Sequence, residues 1–440
     1  MSVPVDRPNV LFVCVDALRS DFALGDFGAD KPLFECFERE GTVFDTTIAA
    51  ASSTTPAVAS YMTGEYPPDH GVLSLRDFTL GEDVTTLAEV FDDAGYRTTA
   101  DVCGPITSDT GLDAGFDEYR HREKDRTVYT DWFEDFRSRL SNSPEPWFTY
   151  LHLWEAHIPW TAPPDARSDE LTYDAAVRGV AEKLAELLSV VDLEETVVVV
   201  TGDHGESIYD GTLRNKVAVL GLNAVPLPFT DASTGDLRHA VYERFLRPNG
   251  IELADVYNRL RRFGGAEFPN AVHRWGHAYH VYDFLVRVPF AVAGPGVPAD
   301  GRVGTQVRQV DLFPTILSVA GLEPPAEVAG QDLLDGEIAR RPAHTRAVGA
   351  YDDETMWLDG VRHDGWKFVT GRGRSLRQLF DLESDPHELR NVVDEYPEKA
   401  ASLESLVDSH VARERRDDEV SEEAEKRMTQ RLQELGYLSD

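Results

Sequence analysis

Apolar residues recur in short runs along the first two thirds of the chain, and stretches with helical spacing lie between them. The runs are rich in valine and other β-branched residues, which predicts strands buried on both faces. Predicted strands cover 9–16, 96–102, 146–153, 196–201 and 288–293, and predicted helices cover 31–40, 85–94 and 174–191. Strands that alternate with helices indicate an α/β fold, with a large, mostly parallel sheet and helices on both faces.

The pattern changes after about residue 340. Short strand candidates follow at 347–351, 365–370 and 378–382, and an acidic stretch with helical spacing runs from 397 to 435. These features predict a first α/β domain over 1–340 and a small C-terminal α+β domain over 341–440. Within the first domain, residues 209–273 mix helix and loop signals, and we interpret them as an insertion.

The charge balance is strongly acidic. The 440 residues include 78 acidic and 43 basic side chains, a formal net charge of −35. Such a surface keeps a protein soluble at high salt, as in halophiles, and it repels nucleic acid and anionic lipid. An anionic small molecule would therefore need a locally positive site, which a bound metal ion can supply.

Compartment and redox state can also be predicted from the sequence. No stretch of about 18 apolar residues is present, so no transmembrane helix is predicted. The first seven residues contain no apolar leader, and we therefore expect the cytoplasm. Three cysteines, Cys14, Cys36 and Cys103, form no disulfide framework. The sequence gives no signal for an oligomeric state.

Acidic residues follow two of the predicted strands, where ligands bind in open α/β sheets. Asp16 ends the first strand, and Asp203 and His204 follow the strand at 196–201. Carboxylate and imidazole groups together are suited to a divalent metal ion. An aspartate at a strand end can equally serve as a helix N-cap, and this alternative applies most strongly to Asp16.

A cluster of hydroxyl residues at 52–55 precedes a proline and a short helical stretch. The start of a helix favours an anion, and a metal ion there would activate one of these hydroxyls as a nucleophile. An ordinary N-cap explains this segment equally well. The histidines His157, His277 and His280 are further candidates, although a lone histidine is more often structural.

Taken in order, these segments resemble the sulfatase family of the alkaline-phosphatase superfamily. VCVDALRSD is similar to the family's first strand and metal-binding aspartate, which implies Asp16. TGDHGE is similar to its second metal motif, which implies Asp203 and His204. The stretch from Thr54 to Gly64 matches the frame of the nucleophile motif, with the proline and the Thr-Gly pair in place.

Further segments extend the resemblance over nearly the whole chain. His157 in HIPW and His277 in GHAYHVYDFLVRVPF match regions of the family that contact the anionic group of the substrate. The segments VPFAVAGPGV, VDLFPTILSVAGLEPP, WKFVTG and LFDLESDPHELRN match parts of the family that carry the fold. The resemblance therefore implies a hydrolase of phosphoric or sulfuric esters.

Three positions depart from the sulfatase pattern. Thr54 replaces the Cys or Ser that the family oxidises, so formylglycine is not expected; Val58 replaces the motif arginine, and Ala17 replaces a second aspartate. A metal-bound threonine nucleophile is typical of related phosphodiesterases, phosphonate hydrolases and headgroup transferases, which attack phosphorus. The departures therefore favour a phosphate monoester or diester as the substrate.

The resemblance also implies the roles of these residues. Asp16, Asp203, His204 and Thr54 would bind one divalent ion (Ca²⁺, Mn²⁺, Mg²⁺ or Zn²⁺), and Thr54 would attack the ester. His157 and His277 would stabilise the negative oxygens or protonate the leaving group. Two alternatives remain open, namely a sulfatase that works without formylglycine and a non-catalytic protein that binds an anionic glycan or lipid headgroup.

Overall fold

A computed structural model of the protein describes residues 7–24, 32–76, 78–167, 171–208, 213–224, 244–245, 247–249, 256, 259–260, 277–325, 328–349, 354–372, 376–415 and 420–435. The chain forms two compact units. Unit 1 contains Met1–Gly205, Val286–Arg341 and Ala412–Asp440, and unit 2 contains Glu206–Leu285 and Pro342–Val411. The sequence-based division into 1–340 and 341–440 stays a prediction, and most of the predicted insertion at 209–273 lies outside the described residues.

Unit 1 is built on a nine-stranded sheet with the strand order β4-β3-β5-β1-β6-β7-β2-β8, in which β9 also pairs with β2. Its strands are β1 Asn9–Val15, β2 Gly41–Ile48, β3 Arg97–Val102, β4 Glu118–His121, β5 Trp147–Leu153, β6 Thr196–Gly202, β7 Arg287–Ala293, β8 Gly301–Val303 and β9 Val307–Arg308. The pairs of β7 with β6 and with β2 are antiparallel, and the other pairs are parallel. The mostly parallel sheet predicted from the sequence is confirmed.

The helices of the described residues are α1 Ser20–Ala23, α2 Pro32–Glu40, α3 Thr54–Thr63, α4 Pro67–His70, α5 Leu87–Asp93, α6 Asp131–Ser141, α7 Thr172–Leu188, α8 Leu213–Ala224, α9 Asp283–Val286, α10 Leu312–Val319, α11 Pro397–Val411 and α12 Glu422–Glu434. Helix α7 shows the amphipathic pattern predicted for it, with its apolar positions buried and its charged ones outward. Among these helices, none is both long enough and apolar enough to cross a membrane.

Helix α3 is buried along its whole length against the central strands. Its Tyr61 ring lies edge-on to Phe12 of β1, with the ring centroids 5.2 Å apart, and the Tyr61 hydroxyl is 2.6 Å from that of Tyr150 in β5. Gly64 ends the helix in the left-handed conformation that glycine adopts without strain. These contacts fix where the helix begins, which is at Thr54.

Unit 2 contains a four-stranded antiparallel sheet in the order β10-β11-β12-β13. The strands are β10 Ala343–Ala347, β11 Leu358–His363, β12 Trp366–Gly371 and β13 Arg377–Asp381, and helix α11 covers an apolar face formed by Val361, Phe368 and Leu379. Strand β10 ends at Ala347, where the strand predicted at 347–351 begins. Residues 348–349 are not part of a strand, and residues 350–351 lie outside the described residues.

Candidate active site

The register of two parallel strands brings the predicted metal-binding residues together. Val15 of β1 pairs with Gly202 of β6, so that Asp16 and Asp203 leave neighbouring strands at the same level of the sheet. His204 follows directly, and all three side chains are fully buried. One ligand atom from each of Asp16, Asp203 and His204 lies within 4.8 Å of the other two.

The backbone around these residues fixes their orientation. The Oδ1 atom of Asp203 accepts hydrogen bonds from the backbone N–H groups of Ala17, at 2.9 Å, and His204, at 2.8 Å. Ala17 has a φ of 59°, a left-handed conformation that is rare for alanine. The Tyr173 hydroxyl donates to the carbonyl of Ala17 and accepts from the N–H of Arg19, so helix α7 holds this turn in place.

The geometry of the group fits a divalent metal ion. The His204 Nε2 atom lies 3.4 Å from Asp203 Oδ2 and 3.6 Å from Asp16 Oδ1, close to the about 3.4 Å that separates two ligands of a tetrahedral ion. The Nδ1 atom of His204 donates to the Gly205 carbonyl at 2.8 Å, which leaves the Nε2 lone pair directed at the carboxylates. This second hydrogen bond is the arrangement that metal-binding histidines adopt.

The groups around Asp203 keep its carboxylate ionised. Burial raises the pKa of Asp203, but the neighbouring His204 and His152 imidazoles and the Ala17 N–H lower it by more than burial raises it, so that the pKa lies well below its usual range. Within the described residues, Asp203 Oδ2 accepts no hydrogen bond. An ionised and buried oxygen of this kind needs a cation, and a divalent ion satisfies that need.

Thr54 is the first residue of α3 and adjoins the same group. Its Oγ1 atom lies 3.2 Å from His204 Nε2, and the side chain is buried. The residue before it, Ser53, is the N-cap, yet its side chain makes no capping hydrogen bond. The structure therefore gives no support to an ordinary side-chain cap as the reason for the hydroxyl cluster.

His157 lies beside this group on the loop after β5. Its ring stacks on Trp154 at 3.9 Å between centroids, and its centroid is 6.4 Å from that of His204. The Nδ1 atom donates to the Ile158 carbonyl at 2.6 Å. Asp16, Thr54, Asp203, His204 and His157 thus all lie in unit 1.

Glu155 anchors the loop that carries His157. It accepts hydrogen bonds from both terminal nitrogens of Arg122, at 2.6 and 3.2 Å, and from the Val128 N–H at 2.9 Å. Burial raises the pKa of Glu155, but the Arg122 guanidinium outweighs burial and the pKa is lowered. The buried ion pair therefore keeps the loop in one conformation.

The other two histidines predicted from the sequence lie in unit 2. His277 Nδ1 is 3.3 Å from Oε1 of Glu206, which also accepts from the Ser207 N–H. His280 stacks on Tyr282 and forms a 2.9 Å hydrogen bond with Gln378, which is the structural role expected of a buried histidine. The predicted role of His277 at the substrate stays a prediction.

Sequence reasoning missed two buried polar side chains of unit 1 that adjoin the site. One is His152 in β5, whose Nε2 lies 3.8 Å from Asp16 Oδ2, and the other is Gln309. The signal for His152 was available, because a histidine inside the apolar run 147–153 has to be satisfied by some partner. Gln309 carried no such signal, since its partners are more than 100 residues away in sequence.

Gln309 connects the loop of Asp203 to the segment that leads to α3. Its Nε2 donates to the carbonyls of Gly202, at 3.1 Å, and Asp203, at 2.9 Å, while its Oε1 accepts from the Ala50 N–H at 3.1 Å. We expect Gln309→Leu to lower the free energy of unfolding by about 3 kcal/mol, because three buried backbone groups lose their partner. Denaturant titration measures this loss.

Activity of Gln309→Leu should fall about tenfold, because the replacement no longer fixes the metal-binding loop relative to Thr54. Gln306→Leu is the matched control: this glutamine is more exposed and bonds the Arg341 carbonyl, so we expect a change within about 0.5 kcal/mol. Equal stability losses for the two variants would show that Gln309 does not carry this connection.

Comparison with known proteins identifies the family and the fold of the chain. The model of the sulfatase family matches residues 8–322, and the model of the C-terminal region of N-sulphoglucosamine sulphohydrolase matches residues 271–417. Arylsulfatase K of Bos taurus is 24% identical over 92% of this chain and 82% of its own length, and the sulfatase YidJ of Escherichia coli K12 is 23% identical over 88% and 84%.

A solved structure has the same fold. The phosphonate monoester hydrolase of Agrobacterium radiobacter superposes with a TM-score of 0.67 at 16% identity, covering 92% of this chain and 96% of the other. The family model covers well over half of the chain, and it spans β1, β6 and helix α3. The chain therefore belongs to the sulfatase family and is a hydrolase of that family.

Proposed function

We propose that the protein is a metal-dependent hydrolase that cleaves a phosphate monoester or diester, with Thr54 as the nucleophile. The observation that carries this proposal is the position of Thr54 Oγ1, 3.2 Å from His204 Nε2, in the buried group formed with Asp16 and Asp203. A hydroxyl placed this close to a set of metal ligands is ready for activation.

One divalent ion held by Asp16, Asp203 and His204 would polarise the ester oxygens and lower the pKa of the Thr54 hydroxyl. In the proposed reaction the Thr54 hydroxyl loses its proton to solvent as Oγ1 bonds to phosphorus, and the bond from phosphorus to the leaving oxygen breaks, with its electron pair going to that oxygen, which takes up a proton. A water molecule then attacks the phosphorus of the phosphothreonine, the bond from phosphorus to Oγ1 breaks, and Thr54 regains its hydroxyl. A monoester yields phosphate, and a diester yields a phosphate monoester. The start of helix α3 adds backbone N–H groups that favour the anionic phosphate.

His157 is placed to supply a proton or a hydrogen bond. Because its Nδ1 donates to a carbonyl, its Nε2 either accepts a proton or, once protonated, donates one to the departing oxygen. The stacking on Trp154 and the anchor at Glu155 hold the ring in one orientation. We therefore assign His157 to the leaving group or to the phosphate oxygens.

The choice of phosphorus over sulfur rests on position 54. Sulfatases form their formylglycine from cysteine or serine, and the residue here is threonine. A phosphonate monoester hydrolase among the proteins of similar fold supports attack on phosphorus. A sulfatase without formylglycine is the second candidate, because the curated relatives include arylsulfatases.

Turnover of matched aryl esters tests the proposal. Purified full-length protein is given nitrophenyl phosphate, bis-nitrophenyl phosphate and nitrophenyl sulfate, each with and without a chelator. We expect cleavage of at least one phosphate ester, loss of that cleavage with chelator, and recovery on addition of Mn²⁺ or Zn²⁺. Faster cleavage of the sulfate would favour the second candidate, and tight metal binding without turnover of any ester would favour a binding protein.

A further inference from the structure

A second imidazole lies against the carboxylates of the metal-binding group. His152 belongs to strand β5, which pairs with β1 on the side away from β6. The register places His152 opposite Cys14, two residues before Asp16. The side chain has no exposed surface.

The two imidazoles face different oxygens of Asp16. His204 Nε2 lies 3.6 Å from Asp16 Oδ1, whereas His152 Nε2 lies 3.8 Å from Oδ2. His152 Nε2 is also 4.0 Å from Oδ2 of Asp203, the oxygen that faces His204 at 3.4 Å. His152 therefore lies next to both carboxylates at once.

Neither ring nitrogen of His152 forms a hydrogen bond in the part of the chain that the structure describes. Burial of an imidazole without such partners costs free energy, so it calls for a compensating interaction. His70, in the same unit, shows how a buried histidine is usually stabilised. It is as buried as His152, but its Nε2 is 3.0 Å from Ser60 Oγ and its Nδ1 accepts a hydrogen bond from the Val72 N–H. The carboxylates of Asp16 and Asp203, with oxygens 3.8 and 4.0 Å from Nε2, are placed to compensate the buried His152 ring.

His152 could bind a second metal ion or could support the two carboxylates as a neutral side chain, and the charge of the site decides between these roles. Two carboxylates neutralise one divalent ion, so a second ion at His152 would leave two positive charges uncompensated in a fully buried place. A neutral imidazole with its proton on Nε2 adds no charge and directs an N–H dipole at both carboxylates. The separations exceed the about 3.2 Å of a formed N–H···O bond, so the interaction is electrostatic.

We propose that His152 is a positioning residue of the metal centre that sets the affinity for the divalent ion by holding Asp16 and Asp203. The inference rests on the proposed metal-binding function and extends it to a residue that does not touch the substrate. Groups that support metal ligands in this way typically change metal affinity 10–100-fold when they are removed.

The test is the dissociation constant for Zn²⁺ or Mn²⁺, measured on full-length protein by competition with a chelator of known affinity. His152→Leu keeps the volume and removes the N–H, and His152→Ala is the substitute if the leucine variant does not fold. We expect either variant to raise the dissociation constant about 10–100-fold. His152→Gln retains a donor on a flexible side chain and should recover part of that loss.

His70→Leu is the matched control, because it removes an equally buried imidazole whose partners are Ser60 and Val72. It should lower the melting temperature but leave the dissociation constant within about twofold of wild type. The d–d spectrum of the Co²⁺-loaded protein adds a second readout, since displaced carboxylates change the ligand field in His152→Leu and not in His70→Leu.

The outcomes separate this inference from the function on which it rests. A folded His152→Leu variant with the wild-type dissociation constant and Co²⁺ spectrum would overturn the role of His152 and leave the metal site intact. Wild-type protein that binds none of these ions would overturn the proposed function, and the role of His152 with it. A wild-type stoichiometry of two ions that falls to one in His152→Leu would show that His152 is a ligand rather than a positioning residue.

Discussion

Thr54→Ala should abolish turnover of the ester that wild-type protein cleaves, with a loss of at least about a thousandfold in kcat. The hydroxyl is the atom that bonds to phosphorus in the proposed reaction, and alanine offers no substitute. Folding should change little, because alanine favours the start of a helix and one hydrogen bond to His204 is lost, worth about 1 kcal/mol. Steady-state kinetics and thermal unfolding measure the two effects separately.

Thr55→Ala is the matched control for this variant. Thr55 is the next residue of α3, and its side chain is as buried as that of Thr54. Its hydroxyl forms no hydrogen bond within the described residues, so the variant removes a hydroxyl without removing a contact. We expect it to retain turnover within about tenfold, and Thr54→Ser to retain more turnover than Thr54→Ala. If Thr54→Ala kept the wild-type kcat, or if the phosphorylated peptide of the wild-type protein did not contain Thr54, the nucleophile would be another residue.

The grouping of Asp16, Asp203 and His204 could be predicted from the sequence because its signal is local. Asp16 and Asp203 each follow a run of buried residues, and parallel strands end at the same edge of a sheet. The strand order β5-β1-β6 could not be predicted from the sequence. The two carboxylates come together, however, in any strand order that places β1 beside β6. Strand periodicity and chain direction therefore predict that the two carboxylates lie at the same edge of the sheet, and the pairing of β1 with β6 brings them together.

The features that sequence analysis missed depend on contacts between distant segments. Strand β2 reads GTVFDTTI, with polar residues that interrupt its apolar pattern, and it is stabilised by pairing with β7, far along the chain. Gln309 acts through backbone groups of residues 50, 202 and 203, which no local pattern specifies. His152 was visible as a polar residue in an apolar strand, but its partners could be identified only once β5 was known to lie beside β1.

Asp203→Asn should remove metal binding while leaving the surrounding backbone contacts in place. The asparagine oxygen can still accept from the N–H groups of Ala17 and His204, as Asp203 Oδ1 does. The other oxygen becomes an NH₂ group, which cannot bind a cation, and one of the two negative charges is lost. We expect the dissociation constant for Zn²⁺ or Mn²⁺ to rise at least about a hundredfold, and kcat/KM at low metal concentration to fall in parallel.

Thermal unfolding distinguishes this loss from general damage to the fold. A bound ion stabilises the folded state in proportion to the logarithm of its concentration over the dissociation constant, so wild-type protein should melt at higher temperature as metal is added. Asp203→Asn should lack that rise, because it no longer binds the ion. Asp311→Asn is the control: this carboxylate is equally buried but pairs with Arg308, so the variant should lose stability and keep the metal-dependent rise. An unchanged metal response in Asp203→Asn would mean that the ion is held by other residues, and Thr54 would then lose its proposed means of activation.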